Sequence, residues 1–406
     1  MKVSIGHCNI KDSFEAGKLS AQRAISLGEI KLPSLVIAFC SAHLDAVNYF
    51  DGIKSVIGNG VPVIGGSAIG VITNNQVDYK DFPSAVAVIE ALSLCHELHW
   101  VSDLGSGEKY AGKKLASCFA KPILGKNFLI FYDSLKIPGS CDNPPILNSS
   151  SELLKGFLKS LDCNIPVLGA GVLSEYSFGP TKQFCGDSVK DQAVVAVLMN
   201  GEFSCDYTIM HGCTPLDGIY HTITRKNEAV IHEIDGRPAA EVIDELYGSS
   251  VWRDEHPVKL LTIGINCGEK FEKFEEGKYV NRLITGVMPD GKSIGIFEPD
   301  LEEGVEFQFM LRDGQRMIES AARNSKRLFN RITAEGKKPL FALYIDCAGR
   351  TAEFSNTLTE EAVTVQKECN KHKVPLLGFY SGVEIAPLLG KSRGLDWTGV
   401  LIIWAK

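Results

Sequence analysis

VPVIGGSAIGV (61–71), IPVLGAGVLSE (165–175) and VPLLGFYSGVE (374–384) are one phrase written three times. Each is a β-branched residue, a proline, three strand-type letters ending in glycine, then a turn of mostly small residues. A buried-strand run stands ahead of each copy: SLVIAFCS (34–41), NFLIFYDS (127–134) and PLFALYIDC (339–347). Between run and phrase lies a helical stretch, at 44–57, 151–161 and 360–372. In the second of these, Leu153, Leu154, Phe157 and Leu161 recur at helical spacing. Another apolar run follows each copy: SAVAVIEAL (84–92), AVVAVLM (193–199) and TGVLIIWA (398–405). Continuous apolar strands around a helix predict a βαβ crossover in a sheet covered on both faces. The proline fits a strand's first residues, where its missing N–H costs no ladder bond. The glycines suit a sharp turn at the strand's carboxyl end, the end at which open α/β sheets bind ligands. The fold class is therefore α/β, built from repeated strand–helix–strand units.

The copies begin at 61, 165 and 374, so the second interval is about twice the first. A fourth copy belongs near residue 270, but GEKFEKFEEG there does not match. Antiparallel structure is expected to fill the gap. KYVNRLITGVMPDGKSIGIFE (278–298) is two β-rich runs around Pro289-Asp290-Gly291, a hairpin pattern. EGVEFQFMLRD (303–313) reads as a further strand and 315–332 as an amphipathic helix. AVVAVLM and EFSCDYTIM (202–210) flank Asn200-Gly201, which predicts a hairpin there too. DGRPAAEVIDELYG (235–248) reads as a helix with Pro238 near its start and Gly248 at its end. A joint after it divides the chain into domains of residues 1–248 and 249–406.

Composition narrows the function. In 406 residues, 45% are hydrophobic and 22% charged, which excludes a disordered chain. The net charge of −7 is spread along the chain, so no basic surface for nucleic acid is expected. No apolar run reaches the roughly 18 residues of a membrane span, and the N-terminus does not resemble a signal peptide. The twelve cysteines are scattered and form no CxxC pair. They read as free thiols in a reducing compartment, which predicts a cytoplasmic protein.

The ordered phrases VPVIGGSAIG, IPVLGAG, DGRPAAEVIDEL, NRLITGV, EGVEF, LYIDCAGR and VPLLGFYSGVEIAP resemble the FIST proteins, a sensory family with an N-terminal and a C-terminal FIST domain. The resemblance runs from about Leu35 to the C-terminus. It implies sensing of a small ligand, with amino acids proposed for the family. Some relatives bind haem and report nitric oxide to histidine kinases; others carry an F-box. No such output domain fits beside the matched residues, so the resemblance implies output through a separate partner, such as a histidine kinase. The family's tyrosine-glycine-glutamate-isoleucine phrase reads Ser381-Gly382-Val383-Glu384-Ile385 here. The inserted valine would rotate Glu384 on a strand.

The polar strand ends supply the candidate ligand site. Asp346, Cys347 and Arg350 follow LYI, and Tyr380, Ser381 and Glu384 follow VPLLG. A guanidinium suits a ligand carboxylate and an acid suits an ammonium. The competing reading is an internal Arg350–Glu384 salt bridge. Arg282, in an apolar strand, is a second candidate, against a surface strand arginine. Gly65, Gly66 and Ser67 offer backbone N–H groups for an anion, against a tight strand-to-helix turn; neither a P-loop nor a dinucleotide fingerprint is present. Cys95, His96 and His99 lack a further clustered metal ligand, and no metal or cofactor is predicted. Haem stays open, because it needs only one axial residue, with His211 and His221 near an apolar hairpin. GGSAIG is not GxSxG and no histidine stands out as base for Cys347 or Ser67. Binding is favoured over catalysis.

Overall fold

Strand Leu35–Cys40 lies parallel to Val63–Ser67, Asn127–Asp133 to Val167–Val172, and Pro339–Cys347 to Leu376–Ser381. Each repeated phrase is thus the second strand of a crossover, and helices Ala46–Ile57, Ser150–Leu161 and Ala362–Lys371 make the connections. This is a computed structural model, and it describes residues 1–91, 95–138, 145–161 and 163–406. In every unit the downstream apolar run returns antiparallel beside the first strand. An outer strand from the start of the unit then lines its far side: Lys2–Asn9, Cys95–Val101 and Ser204–Met210.

The sixfold strand count of each sheet is completed by exchange. Hairpin Val71–Thr73/Val77–Asp78 of the first unit pairs with Leu376–Ser381 of the third. Hairpin Gln183–Gly186/Val189–Lys190 of the second pairs with Val63–Ser67 of the first. Hairpin Val383–Leu388/Lys391–Leu395 of the third pairs with Val167–Val172 of the second. The exchange closes a ring, and it covers with a partner strand what would otherwise be an exposed edge in each sheet.

The strands are apolar throughout because both faces are buried. Their inner faces meet in one shared core containing Ile37, Phe39, Leu129, Phe131, Leu343 and Ile345. Phe39 stacks on Phe379 with centroids 3.7 Å apart and meets Phe131 edge-on at 5.4 Å. The outer faces are covered by one helix pair each: Ser13–Gly28 with Ala46–Ile57, Glu108–Cys118 with Ser150–Leu161, and Gly314–Ala334 with Ala362–Lys371.

The repeated glycines do a different job from the one expected. Gly65, Gly169 and Gly378 lie inside their strands, not in the turns after them. A Cβ would meet the partner strand's carbonyl oxygen: Ala38 at 2.1 Å, Ile130 at 1.8 Å and Tyr344 at 2.8 Å. The glycine lets the two parallel strands approach. The preceding prolines sit one residue before the strands, where Pro62, Pro166 and Pro375 carbonyls each accept a bond from the neighbouring strand. Gly169→Ala, with a φ of +148° besides, is expected to cost about 1–3 kcal/mol by overpacking. Gly60→Ala, with nothing within 4 Å of the new Cβ, should be near neutral in the same urea titration.

Asn200-Gly201 does not make a hairpin. Val194–Asn200 belongs to the second unit's sheet and Ser204–Met210 to the third's, so the pair marks a crossing between sheets. The turn pattern was right and the partner wrong, because each run was claimed by a different neighbour. In place of a fourth copy, residues from Thr214 to Leu311 form a nine-stranded antiparallel sheet inserted in the third unit. It includes the expected hairpin Ile284–Val287/Ile294–Ile296. Helix Ala239–Tyr247 packs on it and ends at Gly248 in the left-handed region. The sheets join strands from both sides of residue 248, and the expected joint is a packed turn in which Trp252 is wholly buried.

Candidate functional site

The ends of Pro339–Cys347 and Leu376–Ser381 bring six of the candidates together, and they are sealed inside the protein. Arg350 donates from Nε to Asp346 Oδ1 at 3.1 Å, from Nη1 to the carbonyls of His211 and Trp397 at 2.9 and 2.8 Å, and from Nη2 to Glu361. The guanidinium side chain is fully buried. The internal partners are thus Asp346 and Glu361, not Glu384. Burial and the neighbouring Glu361 charge push Asp346 well up. Burial opposes the Arg350 charge, but Glu361 and Asp346 more than restore it and hold it well up.

Glu384 takes the Ser381 hydroxyl on Oε1 at 2.7 Å and the Thr398 amide on Oε2 at 3.3 Å. Burial pushes its carboxyl well above the usual range. Tyr380 donates to Glu360 at 3.2 Å. Cys347 is buried and burial holds its thiol protonated, the wrong state for a nucleophile. Arg282 is buried rather than on the surface. It forks onto Asp300 at 2.6 and 2.5 Å and also reaches the carbonyls of Asn281 and Gly394. Ser67 exchanges bonds with the Lys182 backbone, whose N–H it accepts on Oγ and whose carbonyl takes its N–H. Gly65 and Gly66 lie in the same strand, where Phe184 and Gln183 pair with them.

Both ring nitrogens of His211 are likewise engaged. His211 Nδ1 accepts from the Cys213 amide at 3.0 Å and Nε2 faces the Glu276 carbonyl at 2.9 Å, which leaves no lone pair for an axial bond. His221 Nδ1 meets Asp235 at 2.7 Å. His211 is thereby closed to a haem iron, whereas the buried Nε2 of His221 has no hydrogen-bond partner among the described residues. His99 meets Glu97 at 2.9 Å, and the side chains of Cys95 and His96 lie outside the described residues.

Three polar groups that the sequence did not single out tie the inserted sheet to the second and third units. Glu298 caps helix Ser150–Leu161, taking the Ser150 amide at 3.0 Å and the Ser151 hydroxyl at 2.9 Å. Arg312 has its guanidinium 4.1 Å from the Trp397 ring centroid and donates to Ser355 and two carbonyls. Burial lowers it to about 10. Glu276 accepts from the amides of His211 and Gly212, from Ser320, Arg323 and Asn324. Burial alone would raise it, but His211, Ser320 and the two amides bring it down to about 2. A charged residue closing a strand-like run, as Arg312 does in FMLRD, was the available sign.

Glu276 also forms part of the wall of an open cleft of about 790 Å³. The cleft lies between helix Gly314–Ala334, the edge strand Ser204–Met210, the 273–277 loop of the insert and the tip of the hairpin at 387–389. Its apolar floor comes from Tyr207, Ile209, Phe274 and Leu388. Arg316, Arg323 and Arg327 recur along one face of the helix, opposite Lys273. None of the residues singled out from the sequence lines it. The arginines are spaced as in any amphipathic helix, so nothing in the sequence alone separated them from a solvated face.

The sequence profile of the FIST N domain matches residues 34–237 and that of the FIST C domain residues 239–387, so the two meet just ahead of Gly248. An uncharacterized protein of Mycobacterium bovis and one of Mycobacterium tuberculosis are each 24% identical over 418 aligned positions, covering 100% of this chain and 99% of the relative. An uncharacterized protein of Methanocaldococcus jannaschii is 30% identical over 293 residues, 63% of this chain and 52% of the relative. Among solved structures, a cyanuric acid hydrolase superposes with a TM-score of 0.37 at 8% identity, covering 100% of this chain and 99% of that one.

Proposed function

The chain belongs to the FIST family of sensory signal-transduction domains, and from that premise we propose that it binds an amino-acid-like ligand in the open cleft and reports occupancy to a separate partner protein. The observation that carries the reading is the cleft itself: arginines, a lysine and carboxylates around an apolar floor. That combination takes a carboxylate, an ammonium and a short side chain at once. The sealed Arg350 cluster has no room for a ligand and serves as the support beneath. A signalling protein such as a histidine kinase is the kind of partner that would read the state.

Location follows the same reasoning. No helix among the described residues is long and apolar enough to cross a membrane. The ten described cysteines are all free, which supports a reducing compartment, the cytoplasm.

Binding to the native state raises thermal stability by linkage, about 2.7 kcal/mol at a hundredfold excess over Kd. In a melting-temperature screen against amino acids and simple carboxylates, at least one should raise the midpoint. Arg327→Ala, at an exposed position, should remove the response without lowering the unliganded midpoint. A panel with no response, or a response unchanged in Arg327→Ala, would discard the cleft as the site.

A further inference from the structure

Resting on that reading of the cleft, we infer that its ligand is an acidic amino acid, a molecule with two carboxylates and one ammonium. Several of the charges on the cleft wall are already paired. Glu276 is saturated by five internal donors, among them the Arg323 guanidinium at 2.8 Å. It cannot also serve a ligand. Glu275 pairs with Lys278 at 3.2 Å.

What remains is mostly positive. Among the described residues, Arg327 and Lys273 have no ion-pair partner, and Arg316 bonds only the neutral Thr214 hydroxyl beyond its own helix. All three are exposed to the cleft's solvent. Against these three cations stands one carboxylate without a cation, Glu319, whose Oε1 accepts only from Gln315 at 3.0 Å. A monocarboxylate amino acid would leave two cations facing each other uncompensated. A second carboxylate balances the cleft better, and Glu319 supplies the partner for the ammonium.

The spacing agrees. Arg323 gives Glu276 only its Nη2, so its other N–H groups stay available, and it lies four residues from Arg327 on one helix face, about 6 Å along the axis. The carboxyl carbons of a four- or five-carbon amino diacid are separated by three or four C–C bonds of about 1.5 Å each. Two carboxylates of such a molecule can therefore address adjacent turns, with its methylenes over Leu388 and Phe274. Planar guanidinium groups favour this bidentate recognition.

The test uses the full chain and isothermal titration with L-glutamate and L-aspartate. Their neutral isosteres L-glutamine and L-asparagine, and the ammonium-free diacids glutarate and succinate, are the comparisons. One of the two acidic amino acids should bind at least tenfold more tightly than both its amide and its ammonium-free diacid. Lys273→Ala and Arg316→Ala should each erase most of the preference over the amide, and Glu319→Gln the preference over the diacid. Circular dichroism would confirm that these surface variants stay folded. Equal binding of acid and amide, or of amino diacid and plain diacid, would overturn the inference and leave the cleft reading standing. A neutral amino acid lost on Arg327→Ala would do the same. No binding by any of the six would overturn the inference, and the wider screen above then decides the cleft.

Discussion

Arg350→Ala should cost about 3–5 kcal/mol of stability, the range for breaking a buried ion pair from one side. The variant removes four donors from a site with no water to replace them. Asp346 and Glu361 would then face each other across a cavity, and the carbonyls of His211 and Trp397 would lose their partner. One of the two acids can protonate to relieve the repulsion, but the desolvated carbonyls have no such escape. Arg350→Lys keeps a charge and loses the fork. It can satisfy one carboxylate, so an intermediate loss is expected. Urea midpoints for the two variants decide the matter. Ligand affinity of the folded fraction should change far less than stability, because the guanidinium does not line the cleft. A variant that melts like the parent but no longer binds would instead make Arg350 a ligand contact.

Asp346, Cys347, Arg350, Tyr380, Ser381 and Glu384 do converge, as neighbouring strand ends in a crossover must. What the letters could not show is that unit exchange covers those ends. The 383–395 hairpin and the inserted sheet lie over them, so polar residues that look poised for a ligand satisfy one another instead. The three units were legible because each is a local pattern of strand, helix and strand. Their ring-like exchange of hairpins was not, since Val71–Thr73 pairs with Leu376–Ser381 some three hundred positions away. The Asn200-Gly201 turn failed for the same reason. A strand's pairing is decided by which neighbour buries its face, and that information is not local. The cleft was invisible too, being assembled from four separate segments.

Asp396 should make stability fall as pH rises through neutrality, and Asp396→Asn should remove that dependence. Its Oδ2 accepts from the Leu283 amide at 2.8 Å, while Oδ1 is buried without a partner. Burial pushes the carboxyl up to about 7 against the pull of Arg282, and Glu298 and Asp300 add to the rise. The unfolded chain would ionise near 3.9. Between those values the folded state holds a proton that the unfolded state has released. Stability from this group is therefore complete below about pH 4 and lost as pH climbs through about 7. The limiting slope is about 1.4 kcal/mol per pH unit and eases as the group titrates, so the parent's advantage over the variant should shrink by roughly 2 kcal/mol from pH 5 to pH 7. Asparagine keeps an oxygen for the Leu283 amide, but its NH2 finds no acceptor where Oδ1 sits, which adds a constant cost at every pH. The slope of the difference is thus the informative quantity, not its size. Other raised carboxylates, Asp346 and Glu384 among them, act equally in both proteins and cancel. Urea titrations at half-unit pH steps give the slope directly. Two parallel stability curves would mean that Arg282 keeps Asp396 ionised throughout, and the buried acid would then belong to the ion-pair network as a permanent anion.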